Sequence, residues 1–143
     1  MIAAIIDAAA PEAGARLELA VRTDAARVGA FAAAIGAPEP GAPAVPLTYP
    51  FCWMTSPEVR PTLECAIGDP ALLPIHEAQS FDYARALALD ADYRVVLTFA
   101  RTSGPERLTV AAAIATPAGE PCAKFETVLR LVPRADAPGR AND

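Results

Sequence analysis

From Arg94 to Val132 the chain alternates apolar and polar residues in three runs separated by two short turn signals. "RVVLTFAR" places Val95, Leu97 and Phe99 on one side, and "RLTVAAAIAT" does the same with Leu108, Val110, Ala112 and Ile114. "CAKFETVLRLV" sets Phe125, Leu129 and Leu131 opposite Lys124, Glu126 and Arg130. Successive side chains on a strand point to opposite faces, so each run has one face to bury and one to leave in water. Between the runs lie "SGPE" and "PAGE", and Gly119 can take the positive φ of a tight turn. Three strands joined by two short turns make an antiparallel meander.

The segments before the meander are more varied. "RLELAV" (16–21) alternates like a half-buried strand, with Leu17, Leu19 and Val21 on one face. Thr23 is the expected N-cap of a following helix, and Asp24 suits its positive end. Ala25, Val28, Phe31, Ala32 and Ile35 share one helical face, while Ala26, Ala30, Ala33 and Ala34 make the other side small and apolar too. A helix apolar on most sides is expected to be covered on most sides. Gly36 supplies a left-handed stop. Residues 37–50 form a proline-rich loop and lead into the aromatic stretch "LTYPFCWM". "PTLECAI" reads as a short strand, and "IHEAQSFDY" (75–83) as a further one. The expected architecture is α+β, an antiparallel sheet wrapped around one long buried helix. One domain over 1–133 and a mobile tail over 134–143 are expected.

Composition narrows the function classes. The chain has 143 residues, of which 53% are apolar, enough for a packed core. The net charge is −5 and Lys124 is the only lysine, so no basic patch for nucleic acid is evident. No apolar run approaches the roughly 20 residues that span a bilayer. "MIAAIIDAAA" lacks a basic leader and carries Asp7, and it reads as a short helix or strand rather than a signal peptide. A cytoplasmic protein is expected. Cys52, Cys65 and Cys122 lack CxxC spacing and read as reduced thiols.

Candidate chemistry is sparse. His76 is the only histidine; a general base would need an orienting carboxylate, and Glu77 falls on the other face of the same strand. No metal-ligand cluster, phosphate-cradling glycine loop or nucleophile elbow is present, and no cofactor is implied. Asp82, Asp90 and Asp92 read as turn solvation. Tyr49, Phe51 and Trp53 could line an acyl pocket or pack as core or dimer interface.

Three stretches carry a resemblance. "VGAFAAAIG" (28–36), "VPLTYPFCW" (45–53) and "PIHEAQSFDYARAL" (74–87) are similar to segments of the MaoC-like dehydratase family. The match is to its N-terminal-type (FAS1-like dehydratase) hot-dog domain. In the third stretch His76, Gln79, Phe81, Tyr83, Arg85 and Leu87 hold the family's positions. The resemblance spans residues 16–132 and implies a hot-dog fold acting on acyl thioesters of coenzyme A or acyl carrier protein. The family's catalytic Gly-Asp-x-Asn-Pro-x-His motif follows the helix. Here Gly36 and Pro40 hold its glycine and proline, but Ala37, Glu39 and Ala42 stand at the aspartate, asparagine and histidine positions. Alanine cannot move a proton. Asp90-Ala91 also departs from a Gly-Asp that the family often has, which bears on turn geometry.

The resemblance thus implies a non-catalytic subunit related to (R)-specific 3-hydroxyacyl-thioester dehydratases and enoyl-thioester hydratases. Phe31, Tyr49, Phe51, Trp53 and His76 are the acyl-channel candidates. The chain would form a homodimer, or a heterodimer with a dyad-bearing hot-dog subunit. Two further functions stand beside this one. The first is an acyl-CoA thioesterase using Asp24 or Glu39; the second is a homodimeric acyl-thioester binding protein without turnover.

Overall fold

A computed structural model of the chain describes residues 4–6, 14–36 and 44–135. The meander forms as its alternation dictates. Strands β4 (Asp92–Thr102), β5 (Arg107–Ala115) and β6 (Pro121–Pro133) pair antiparallel, with Val95 opposite Ile114, Leu97 opposite Ala112 and Phe99 opposite Val110. Ala112 in turn faces Phe125, and Leu108 faces Leu129. These rows are almost wholly buried and make up the inner face. Gly119 in the second turn has φ +95°, as expected. Strand β2 (Ala15–Arg22) adds to the free side of β4, with Leu17 opposite Leu97 and Leu19 opposite Val95. β1 (Ala4–Ile6), lying where the opening segment was expected to form a helix or strand, pairs with the first residues of β2.

The last strand in space is β3 (Leu72–Tyr83), paired with β6 at the far edge. The six strands among the described residues run β1-β2-β4-β5-β6-β3. The chain leaves one edge of the sheet after β2, crosses its inner face as helices, and returns at the other edge. The buried residues join one hydrophobic cluster.

The helical layer differs from the expectation of one long buried helix. Among the described residues it consists of three short helices: α1 (Ala25–Ala34), α2 (Phe51–Met54) and α3 (Arg60–Ile67). α1 buries only Val28 fully and half-buries Phe31 and Ala32. Ala26, Ala30, Ala33 and Ala34 face solvent, and Ile35 is 52% exposed. Alanine exposes little apolar surface and favours helix strongly, so an alanine-rich face can stay wet at small cost. The expected short strand "PTLECAI" is instead α3, which packs against β2 and β4. Val59, Thr62 and Ile67 bury on its inner side, Pro61 sits in its first turn, and Gly68 at φ +78° ends it.

The start of α1 also differs. Asp24 holds the N-cap position without a side-chain cap bond. Thr23 is fully buried; its hydroxyl donates to the Ala88 carbonyl (2.5 Å) and accepts from the Ala91 amide (3.0 Å). The cap comes from a distant turn: Asp90 Oδ1 accepts the Ala25 N–H at 3.0 Å. The expected stop at Gly36 holds, with φ +78°. Ala37, Glu39, Pro40 and Ala42 lie outside the described residues, as does 136–143 of the expected 134–143 tail, whose Arg134 donates to the Ala71 carbonyl at 2.8 Å and the Pro70 carbonyl at 3.0 Å. No helix among the described residues is long and apolar enough to cross a membrane.

Candidate functional site

The inner faces of β2, α1 and α2 enclose a cleft of about 980 Å³. Leu17, Leu19 and Val21 form its floor, because alternation sends these side chains inward. Phe31 from α1, with Tyr49 and Trp53 from the α2 region, form its wall. Phe31 and Tyr49 meet edge-to-face at 5.3 Å and 89°; Tyr49 and Trp53 meet likewise at 5.9 Å and 85°. Such T-shaped pairs favour a fixed geometry over sliding contacts. Tyr49 is 4% exposed and Trp53 8%, so the wall is also core. The pocket and packing readings of these aromatic residues are therefore the same arrangement seen from two sides.

The mouth carries Glu18, Asp24, Arg27, Glu58 and Arg94. Arg94 pairs with Glu18 at 3.4 Å. Cys52 also lines the cleft, and burial pushes its thiol up, so it stays protonated near neutral pH and is a poor nucleophile. Burial, followed by the neighbouring Cys52, pushes the Tyr49 phenol up as well. No histidine is among the described lining residues. Among the described residues no three His, Cys, Asp or Glu side chains converge as a metal site would require.

Phe51 and His76 stand apart from this cleft. Their rings stack at 5.2 Å and 13° on the inner side of β3, at the opposite edge of the sheet. The five candidate residues thus divide into Phe31, Tyr49 and Trp53 on one side of α2, and Phe51 with His76 on the other.

Around His76 the sheet is irregular. The register with β6 shifts between His76 and Ala78, so Glu77 is an extra residue in the strand. Before the shift His76 lies opposite Leu129, an inward position; after it Gln79 lies opposite the inward Thr127. The bulge therefore brings His76 and Gln79, three residues apart, onto one face, where strict alternation would separate them. His76 Nε2 lies 3.1 Å from Gln79 Oε1, which also accepts the hydroxyl of fully buried Thr127 at 2.7 Å. Glu77 points to the other face, as expected, and is held there by Arg107 at 2.7 to 3.1 Å. Nothing in the residue pattern around 76 announces a bulge, so Gln79 and Thr127 are missed as partners of His76 at that level.

Tyr83, further along β3, donates to the Leu47 carbonyl at 2.6 Å and ties the loop before α2 to the sheet. A second groove, of about 450 Å³, lies on the opposite face of the sheet over Ala111, Ala113 and Lys124.

No family model and no curated protein sequence matches the chain. Solved structures do. The chain is similar to the C-terminally truncated HadBC (3R-hydroxyacyl-ACP dehydratase) complex from Mycobacterium tuberculosis, with a TM-score of 0.64 and 13% identity over 80% of this chain and 92% of that one. It is similar to the (R)-hydratase from A. caviae involved in PHA biosynthesis, with a TM-score of 0.56 and 20% identity over 87% and 100%. It is also similar to a hypothetical thioesterase with coenzyme A from Streptococcus pneumoniae, with a TM-score of 0.52 and 14% identity over 88% and 84%. The antiparallel sheet, the helices on its inner face and these likenesses establish an α+β hot-dog fold.

Proposed function

We propose that this chain is a non-catalytic hot-dog subunit of an (R)-specific 3-hydroxyacyl-thioester dehydratase or enoyl-thioester hydratase. It shapes the acyl channel beside a partner that carries the acid–base dyad. The supporting observation is the cleft itself: an apolar floor, an aromatic wall of Phe31, Tyr49 and Trp53, and no histidine among its described lining. Such a cleft suits an alkyl chain, and its described lining holds no aspartate–histidine pair to hand a proton to and from water. The alanines at positions 37 and 42 agree with this division of labour. The likeness to the HadBC (3R-hydroxyacyl-ACP dehydratase) complex supports a role within such a complex. The chain would work in the cytoplasm on coenzyme A or acyl-carrier-protein thioesters.

The test is reconstitution. Enoyl-CoA hydration is measured with the chain alone and then with a dyad-bearing hot-dog subunit from the same source. No turnover alone, and turnover or a longer accepted acyl chain with the partner, is expected. Full hydratase activity of the isolated chain would overturn the reading.

One observation favours a thioesterase as the second reading: Asp24 lies at the cleft mouth. Acyl-CoA hydrolysis by the isolated chain that disappears in Asp24→Asn would establish it. Binding of CoA esters by a homodimer that neither hydrates nor hydrolyses them would indicate the binding protein without turnover.

A further inference from the structure

His76 is held in place from three directions. The alternation of β3 sets it on the inner face, where the bulge at Glu77 brings Gln79 alongside, Phe51 stacks on its ring, and Gln79 Oε1 meets its Nε2 at 3.1 Å. A carboxamide oxygen only accepts, and this one already accepts the buried Thr127 hydroxyl. The ring nitrogen facing it must therefore donate, which fixes the neutral imidazole as its Nε2–H tautomer. The lone pair is then on Nδ1, which has no partner among the described residues, in a side chain that is exposed. An edge histidine needed only for packing would not require a ring stack and a glutamine that a bulge places beside it and a buried hydroxyl holds. Bulges often serve to re-aim a side chain beside a site.

We infer that His76 Nδ1 is a ligand contact that accepts an amide N–H from the pantetheine arm of a bound acyl thioester. This rests on the acyl-thioester reading above and names the part of the ligand that reaches β3. Coenzyme A and acyl carrier protein share that arm, and its amides are its N–H donors. The geometry permits one ligand to span both places. Trp53 and Phe51 are two residues apart on the single turn of α2, with the cleft on the Trp53 side and His76 on the Phe51 side. A helix is about 10 Å across with its side chains, less than the length of an extended pantetheine arm. An acyl chain in the cleft would leave the arm to cross α2 toward His76.

The chain has one histidine, so imidazole nitrogen resonances from histidine-labelled protein report this site alone. Butyryl-CoA, S-butyryl-N-acetylcysteamine (one amide) and S-methyl butanethioate (no amide) are titrated into the full chain, alone and with the catalytic partner. The Nδ1 resonance is expected to move with the first two and not with the third. His76→Phe, which keeps the ring stack, is expected to weaken the first two by about three- to tenfold, the worth of one neutral hydrogen bond. Binding of the amide-free ester should be unchanged. If the wild type binds butyryl-CoA while His76→Phe binds it equally and the wild-type imidazole does not respond, this inference falls and the channel reading stands. If no CoA ester binds in either setting, both fall.

Discussion

Two single residues carry constraints that no neighbour can share. Gly14 enters β2 with φ +66°, and a Cβ there would lie 1.7 Å from the Phe99 carbonyl oxygen. Phe99 is 1% exposed in the middle of β4, so its backbone cannot withdraw. Gly14→Ala is expected to cost about 3 kcal/mol or more, combining left-handed strain with a backbone clash; chemical denaturation measures it. Asp90 is the second. It has φ +53°, the one non-glycine residue with positive φ among those described, and its carboxylate caps α1. The departure from a Gly-Asp turn is thus resolved: Asp90 takes the left-handed conformation itself and adds a cap that glycine lacks. Asp90→Asn should stay within about 0.5 kcal/mol of wild type, because Asn tolerates that conformation and can accept the same bond. Asp90→Gly should lose only the cap, and Asp90→Ala should lose about 2 kcal/mol through both effects. Any other order of denaturation midpoints would mean that the cap does not carry the difference.

At the scale of elements, legibility followed the range of the interactions involved. In β4, β5 and β6 each side chain's fate depends on its own strand's alternation, so the inner face could be read residue by residue. α3 is harder, because Leu63, Cys65 and Ile67 satisfy a strand's period while Val59, Leu63 and Ile67 satisfy a helix's. The left-handed Gly68 and the sheet beneath decide for helix. The exposed face of α1 and the bulge in β3 depend on neighbours distant in sequence, as does the His76–Gln79–Thr127 chain.

β3 is fastened on both faces by titratable groups, and its stability should follow them. Outside, the Arg107 hydrogen bonds hold the Glu77 carboxyl below its ordinary 4.5. Its contribution is present above that value and lost as pH falls through the lower folded value. Glu77→Gln is expected to melt below wild type at neutral pH and low salt, with the gap closing in acid and in high salt. Inside, burial pushes Tyr83 up to about 12. A raised phenol favours the folded state below its ordinary 10.0, and that advantage is lost as pH rises from there to about 12. Tyr83→Phe should cost about 1 kcal/mol at neutral pH by losing the bond to Leu47. It should also flatten the alkaline limb of the melting curve. An unchanged limb would place the titration elsewhere.

For the whole molecule, the two ends of the sheet are unequal. β1 pairs with the first part of β2, whereas β3 presents twelve residues with no strand beyond them among those described. A long strand edge is a template for another chain unless charge, proline or a cover protects it. Pro74 and the bulge protect only part of this one. On its outer face Leu73 is 37% exposed and Ile75 44%, large apolar side chains next to one another on that face. Water there costs free energy that a second hot-dog sheet would recover, and strand addition would satisfy the bare backbone at the same time. β3 carries His76 on its inner face, so a strand added along its edge would border the Phe51 side of α2. The expected outcome is that the chain sediments as a dimer, alone or with the dyad-bearing subunit of the proposed function, and that Leu73→Glu with Ile75→Lys shifts it to monomer. Both side chains are already partly wet, so far-UV circular dichroism and the monomer's own melting should hardly change. Under the proposed function, the same double variant should then lose partner-dependent hydration while butyryl-CoA still enters the cleft of the isolated chain. If the variant still associates as wild type does, the contact lies elsewhere, the outer face over Ala111 and Ala113 being the next surface to substitute.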